Sequence, residues 1–248
     1  MATYKLTLSE LTPDQLQLLA GIMDLSKFKF PKIPVWQTKL DDFAIMGMSH
    51  VILAENGWFI SLFLTDTVTS FDAATCFLSR KLDRDRGDKI MVAHYRETLD
   101  EIQKWAEDEF PNRRLILRKA FNAHRQRDYE LSIPVMLAQA DGIGEEIFGK
   151  DVSPSSQHSR KVNARKKFVE GIIDSATKKM FGDYYSLITS QLPINAGESQ
   201  RTKFNSPLNR HLVLHGISTD YATEVNALKT ISWLQYIISF KAEAKYKC

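Results

Sequence analysis

The carboxyl-terminal segment constrains the fold of this chain more than any other part. From about Tyr221 to near Ala244, apolar residues recur at helical spacing, but they form two stripes where a surface helix has one. The first stripe comprises Val225, Leu228, Ile231, Leu234 and Ile238, and the second comprises Trp233, Ile237 and Phe240. A helix that is apolar almost all round needs cover on every side, so it belongs in the centre of a helical bundle or at a subunit interface.

Helical patterns also dominate the rest of the chain. The predicted helices before the last third span about residues 13–25, 40–55, 66–80 and 89–109. The apolar run 57–64 fits a buried strand or a buried helix, and periodicity does not choose between them. We therefore predict an all-α fold with two parts: residues 1–85 as an N-terminal helical region of unknown role, and residues 86–248 as a helical bundle. The two parts form either separate domains or one continuous domain.

The composition limits the expected partners of the protein and its expected cellular compartment. A formal net charge of +3 is too small to establish a nucleic-acid partner, so the positions of the basic residues matter more than their number. Cys76 and Cys248 cannot build a disulfide framework, and no zinc-ligand spacing surrounds them. We find no secretory signal and no apolar stretch of membrane-spanning length. The expected protein is soluble and cytoplasmic, without a membrane partner.

A cluster of basic residues opens the helix predicted after residue 160. It contains Arg160, Lys161, Arg165 and Lys166. Such a cluster is either a solvated helix face or a track for the phosphates of a nucleic acid, and the sequence leaves both interpretations open. Two polar residues, Gln139 and Asp141, interrupt an apolar run upstream, where they either cross-link helices or face a site.

Residues 209–216 carry the clearest chemical signal. Asn205-Ser206-Pro207 predicts a capped helix beginning at Pro207, and Gly216 predicts its end. The helix holds Arg210 and ends at His215. A guanidinium grips phosphate through charge-assisted hydrogen bonds, while an imidazole moves protons at neutral pH.

The run Asn209-Arg210-His211-x3-His215-Gly216, next to a final helix in an all-helical chain, resembles the HEPN superfamily. The resemblance covers roughly residues 110–245 and implies a helical bundle that often dimerises so that two motifs face one cleft. Many members are metal-independent endoribonucleases of toxin, antiphage and CRISPR-linked systems. Members commonly carry Asn or Asp directly after the arginine, where this chain has His211.

The resemblance makes His215 the proton-transfer residue near the ribose 2′-hydroxyl and Arg210 the group that holds the scissile phosphate. It implies RNA as substrate, 2′,3′-cyclic phosphate and 5′-hydroxyl products, no cofactor and no metal. It also implies a defence-system or antitoxin partner. His211, one turn before His215, adds a second imidazole. The carboxylates considered for orienting an imidazole are Asp141, Asp220 and Glu224.

Helix geometry places Arg210 and His215 about 140° apart, which favours a homodimer that pairs an arginine of one chain with a histidine of the other. Three alternatives remain. The first is a non-catalytic HEPN-like module that binds RNA or a protein. In the second, Arg210 pairs with a carboxylate and His215 caps a helix, with no catalysis. The third is a metal site on His211 and His215, which lacks the glutamate of metalloproteases.

Overall fold

The computed structural model describes residues 49–61, 67–78, 84–149, 165–171, 182, 184–204 and 206–245, and every regular element in these ranges is helical. The predicted all-α class is confirmed. We label seven helices in chain order. They are α1 (Thr67–Leu78), α2 (Arg84–Glu97), α3 (Leu99–Glu109), α4 (Arg114–Arg125), α5 (Tyr129–Phe148), the short α6 (Arg210–Leu214) and α7 (Glu224–Lys245). Short 3-10 turns cover Pro111–Arg113, Leu187–Thr189, Pro193–Asn195 and Glu198–Lys203. The helix predicted at 13–25 and the candidates Arg160 and Lys161 lie outside the described residues.

Helix α7 is the centre of the structure. Every residue from 226 to 240 is buried, and α7 packs along α5 while also contacting α2 and α3. The prediction of a bundle centre is confirmed, and because a single chain covers these residues, they give no reason to expect a subunit interface. The helix begins at Glu224 and not near Tyr221, because Thr223 Oγ1 accepts the Asn226 amide at 3.2 Å and caps it. No helix among the described residues is both long and apolar enough to cross a lipid bilayer.

One hydrophobic cluster joins the described N-terminal residues to the rest of the chain. Ile52, Trp58 and Phe59 belong to the same cluster as Phe121 on α4 and Ile237 on α7. The helices predicted at 40–55 and 66–80 are confirmed where they are described, over residues 49–55 and 67–78. The described part of the N-terminal region therefore contributes to a shared core.

The apolar run 57–64 is neither strand nor helix over residues 58–61, which are buried but irregular. Buried irregular backbone needs hydrogen-bond partners, and side chains of two helices supply them here. Phe59 N donates to Ser232 Oγ on α7 at 3.1 Å, and the Tyr95 hydroxyl on α2 donates to Phe59 O. Hydrogen bonds to side chains of other helices thus take the place of the strand or helix hydrogen bonds that the apolar run 57–64 permits.

The helix predicted at 89–109 is two helices. Helix α2 already begins at Arg84, within the charged stretch, and Thr98 separates it from α3. Backbone bonds nevertheless continue through the junction, since Thr98 N donates to His94 O and Ile102 N to Thr98 O, both at 3.0 Å. The Thr98 hydroxyl also donates to His94 O at 2.9 Å, a back-bond that bends helices. The apolar periodicity continues across the junction, so it does not reveal the interruption.

Helix α5 contains a proline, Pro134, in its second turn. A proline inside a helix has no N–H to give to the carbonyl four residues earlier, which here belongs to Glu130. The Tyr221 hydroxyl, just before α7, donates to that carbonyl at 3.2 Å. A side chain from another part of the chain thus satisfies the group that Pro134 leaves unpaired.

We expect acid to destabilise the fold through His124 on α4. This imidazole is buried, and burial lowers its pKa from the usual 6.5. The unfolded chain therefore binds a proton below about pH 6.5 that the folded chain refuses, so the free energy of unfolding falls as pH drops through that value. Urea unfolding at pH 7.5 and 5.5 measures this loss, and the loss should be smaller in His124→Gln. An equal loss in both proteins would contradict the assignment.

Candidate functional site

The residues that carry the chemical signal lie on and around α6, a helix of five residues capped by Asn209. The Asn209 side-chain oxygen accepts the backbone N–H groups of His211 at 3.1 Å and Leu212 at 3.3 Å. The predicted start at Pro207 is wrong, because residues 206–208 are not helical and the helix begins three positions later, at Arg210, after the Asn209 cap. The predicted end is confirmed, since His215 follows the last helical residue and Gly216 has a φ of +68°.

Asn209 also fixes α6 to the preceding turn. Its amide nitrogen donates to the carbonyls of Pro193 and Ala196, each at 2.9 Å, and the residue is 3% exposed. These contacts hold α6 in position. Together with the cap bonds they occupy both the amide oxygen and the amide nitrogen of Asn209, so neither atom is available to a substrate.

We expect Asn209→Ser to lower the free energy of unfolding by about 1–2 kcal/mol. Serine retains an oxygen able to cap the helix, but it cannot replace the amide bonds to two carbonyls. Chemical denaturation of the variant beside the unsubstituted protein measures this loss. Unchanged stability would mean that the two carbonyl contacts contribute nothing.

His211 and His215 share one face of α6, as the sequence predicts. Their ring centroids are 6.0 Å apart, the ring planes differ by 5°, and both side chains are exposed. Desolvation lowers the pKa of His211, and the neighbouring charges of Arg210 and His215 lower it further. His211 is therefore neutral at pH 7 and has a ring nitrogen able to accept a proton.

Arg210 lies beside this face and is paired with Asp141 on α5. Its Nη1 donates to Asp141 Oδ1, and the side chains are 22% and 34% exposed, respectively. The Nε of Arg210 is buried without a hydrogen-bond partner in the described part of the chain. Asp141 thus orients the guanidinium and not an imidazole as predicted. Gln139 serves as a structural cross-link, because its Oε1 accepts Arg113 Nη1 at 2.8 Å.

Two residues of the predicted basic cluster, Arg165 and Lys166, are described by the structure, and Arg165 approaches the site. Arg165 is half-buried, its guanidinium carbon lies 5.8 Å from the centre of the Phe148 ring, and Nη1 donates to Ile188 O at 3.4 Å. Burial lowers the pKa of Arg165, and the charge of Arg210 is the next contribution. Lys166 is exposed to solvent. Arg165 is therefore a neighbour of Arg210, whereas Lys166 faces water.

Two of the predicted carboxylates are engaged elsewhere. Asp220 Oδ1 accepts the Ser218 hydroxyl at 3.0 Å. Glu224, at the start of α7, forms a two-point ion pair with Arg96 of α2, with Nε–Oε1 and Nη2–Oε2 distances of 2.7 Å. These contacts are with Ser218 and Arg96 and not with an imidazole of α6, so they do not support the prediction that Asp220 or Glu224 orients an imidazole.

Sequence reasoning missed Arg201, which lies in the 3-10 turn Glu198–Lys203. It lines one pocket with Asn209 and Leu212, which flank Arg210 and His211 in the chain, and its charge contributes to the lowered pKa of His211. It lies in a polar loop of the sequence, with no helical pattern to assign it to a face. The only available signal was its position nine residues before Arg210, which without a structure does not indicate proximity.

The arrangement provides two imidazoles for proton transfer and a positively charged surface for an anion. No group of three or more potential metal ligands occurs among the described residues. Comparisons with protein-family models, curated proteins and solved structures found no match to this chain.

Proposed function

We propose that this protein is a metal-independent endoribonuclease that cuts RNA through attack by the ribose 2′-hydroxyl. The observation that carries the proposal is the pair of parallel, exposed imidazoles of His211 and His215 at a short helix that also holds Arg210. Proton transfer at two oxygens and stabilisation of one phosphate are what this reaction requires. The resemblance to the HEPN superfamily points to the same chemistry.

In the proposed reaction, the 2′-oxygen attacks the adjacent phosphorus and the bond from phosphorus to the 5′-oxygen breaks. The 2′-hydroxyl gives its proton to one imidazole, and the 5′-oxygen takes a proton from the other. The products are a 2′,3′-cyclic phosphate and a 5′-hydroxyl. His211 suits the accepting role because its lowered pKa keeps it neutral. His215 then donates to the leaving oxygen, a role that differs from the one near the 2′-hydroxyl that the resemblance gives it.

Arg210 stabilises the charge that develops on the phosphate oxygens. Asp141 holds the guanidinium through Nη1 and so restricts the directions in which its other donors point. Arg201 adds a second positive charge to the same surface. A phosphate that binds beside Arg210 therefore meets a held guanidinium within a positively charged surface.

The test is incubation of the full chain with a labelled single-stranded RNA in the presence of EDTA. We expect fragments that end in a 2′,3′-cyclic phosphate, identified by mass spectrometry. The control substrate has the same sequence with 2′-deoxyribose throughout, and it should stay intact because it lacks the attacking hydroxyl. Equal cutting of both substrates, or no cutting of either over a panel of RNA sequences, contradicts the proposal.

A second candidate is a non-catalytic module that binds RNA. The Arg210–Asp141 ion pair favours it, because a guanidinium already neutralised by a carboxylate can be structural. Asp141→Asn separates the two functions. If Arg210 is catalytic, it loses its orientation in this variant and cleavage falls, even though the loss of a negative charge strengthens RNA binding. A binding module gains affinity and shows no cleavage before or after the substitution.

A defence setting, a homodimer and a protein partner remain predictions from the resemblance.

A further inference from the structure

A pocket of about 260 Å³ lies beside α6, and the reaction proposed above does not use it. Its lining includes Pro193, Arg201, Phe204, Ser206, Pro207 and Leu212. Leu212 is on α6 directly after His211, whereas most of the other lining residues come from the preceding loop. The pocket and the imidazole face therefore share one short helix.

Arg201 is the polar feature of this pocket. It is half-buried, its Nε is shielded from solvent, and that Nε has no hydrogen-bond acceptor within the described residues. Among the side chains that the structure describes, none forms an ion pair with its guanidinium, whereas Arg210 has Asp141. A shielded N–H group that donates to none of the described residues costs free energy, and an acceptor on a bound ligand would satisfy it. Because its charge also acts on His211, Arg201 connects the pocket to the proposed reaction site.

The rest of the pocket is mainly apolar and flat-sided. Phe204 and Leu212 are half-buried, Pro207 is exposed, and Pro193 is buried. An aromatic ring and proline rings provide surfaces on which the face of a nucleobase can stack. Pockets for drug-sized molecules occupy roughly 300–1,000 Å³, so this one suits a ligand of about the size of a single base.

We propose that this pocket holds one nucleobase of the RNA, next to the phosphate that is cut at α6. The base stacks on Phe204, and Arg201 donates to an acceptor on its edge. The inference rests on the proposed ribonuclease function and adds to it a subsite that sets where the RNA is cut. A phosphate group is a poorer occupant, because it would lose its hydration to a lining that is largely apolar.

Binding to small probes tests the pocket without requiring cleavage. The probes are the adenosine, guanosine, cytidine and uridine 5′-monophosphates, with ribose 5-phosphate as the matched compound that lacks a base. We expect at least one nucleotide to bind about 5- to 150-fold more tightly than ribose 5-phosphate in calorimetric titrations of the full chain. Phe204→Leu, which keeps bulk but removes the ring, and Arg201→Gln, which removes the charge, should both reduce that difference.

Lys203→Ala provides the control, since Lys203 is exposed on the same 3-10 turn and does not line the pocket. It should leave the preference for nucleotides unchanged, and circular dichroism checks that all three variants are folded. The subsite is overturned if ribose 5-phosphate binds as tightly as every nucleotide. It is also overturned if Phe204→Leu and Arg201→Gln retain the full preference, or if Lys203→Ala abolishes it equally.

The two proposals fail in different ways. If nucleotides bind as expected but RNA is never cut, the ribonuclease function is wrong and the base pocket stands. If RNA is cut and Arg201→Gln cuts a mixed-sequence RNA at the same positions with the same preference, the ribonuclease stands and the subsite is wrong. Sequencing of the cleavage products from wild type and Arg201→Gln distinguishes these results.

Discussion

Replacement of His215 by alanine is expected to lower the rate of RNA cleavage by about 100- to 10,000-fold, the usual contribution of a positioned proton donor or acceptor. In the proposed reaction this exposed imidazole transfers a proton in the transition state and adds little to RNA binding, so the loss should appear in kcat. Single-turnover cleavage of a labelled RNA with saturating protein measures it directly. RNA affinity, measured by fluorescence anisotropy, should change little.

Leu214→Ala is the matched control for His215→Ala. Leu214 is the preceding residue, it is 39% exposed, and its side chain cannot transfer a proton. Cleavage by Leu214→Ala should stay within a few-fold of wild type. If both variants lose activity equally, the loss arises from damage to α6 and not from a missing imidazole.

The pH dependence of cleavage checks the role of the second imidazole. Desolvation and the charges of Arg210 and His215 lower the pKa of His211, so this group becomes protonated only below its usual 6.5. A proton acceptor must be neutral, so the rate should fall as pH drops through that lowered pKa. His211→Ala should be slow at all pH values and lack this acid limb. An unchanged acid limb in the variant would assign the titration to another group.

The second large effect concerns stability. We expect Asp88→Asn to lower the free energy of unfolding by roughly 3 kcal/mol. Asp88 on α2 faces the ammonium of Lys229 on α7, with Nζ 3.3 Å from Oδ1, and the two side chains are 28% and 5% exposed. The substitution leaves a buried lysine without a counter-charge. Asparagine still offers an oxygen to Trp58 Nε1, which donates to Asp88 Oδ1 at 2.6 Å, so the experiment isolates the charge.

Thermal unfolding should show a drop in Tm of about 6–12 °C for Asp88→Asn. The double variant Asp88→Asn, Lys229→Met should recover much of this loss, because an apolar side chain of similar length has no charge to desolvate. Burial lowers the pKa of Lys229 and Asp88 opposes that shift. In the single variant the folded-state pKa falls further below its unfolded value of about 10.4, so stability should rise as pH increases towards that value. A double variant as unstable as the single one would contradict this account.

The surroundings of Arg210 show which features of the site could be predicted from the sequence. The residue types, the cap, the glycine and the shared face of His211 and His215 followed from local chemistry and helical spacing, and the structure agrees with the face and the helix end. The partner of Arg210 did not follow, because Asp141 is 69 residues away and its place in an apolar run indicated a polar partner without identifying it. The closest carboxylate in sequence was not the one in contact.

Periodicity and residue type were enough to predict the helical class, a last helix that needs cover on every side, and the residues of α6 able to transfer protons. Those features depend on periodicity and on side-chain chemistry, which act over a few residues. Only the tertiary structure decided the division at Thr98, the irregular buried segment 58–61, the pairing of Lys229 with Asp88 and the pocket around Arg201. Each of these four depends on contacts between segments that are distant in the chain or on the geometry of a junction, and neither leaves a periodic trace in the residues themselves.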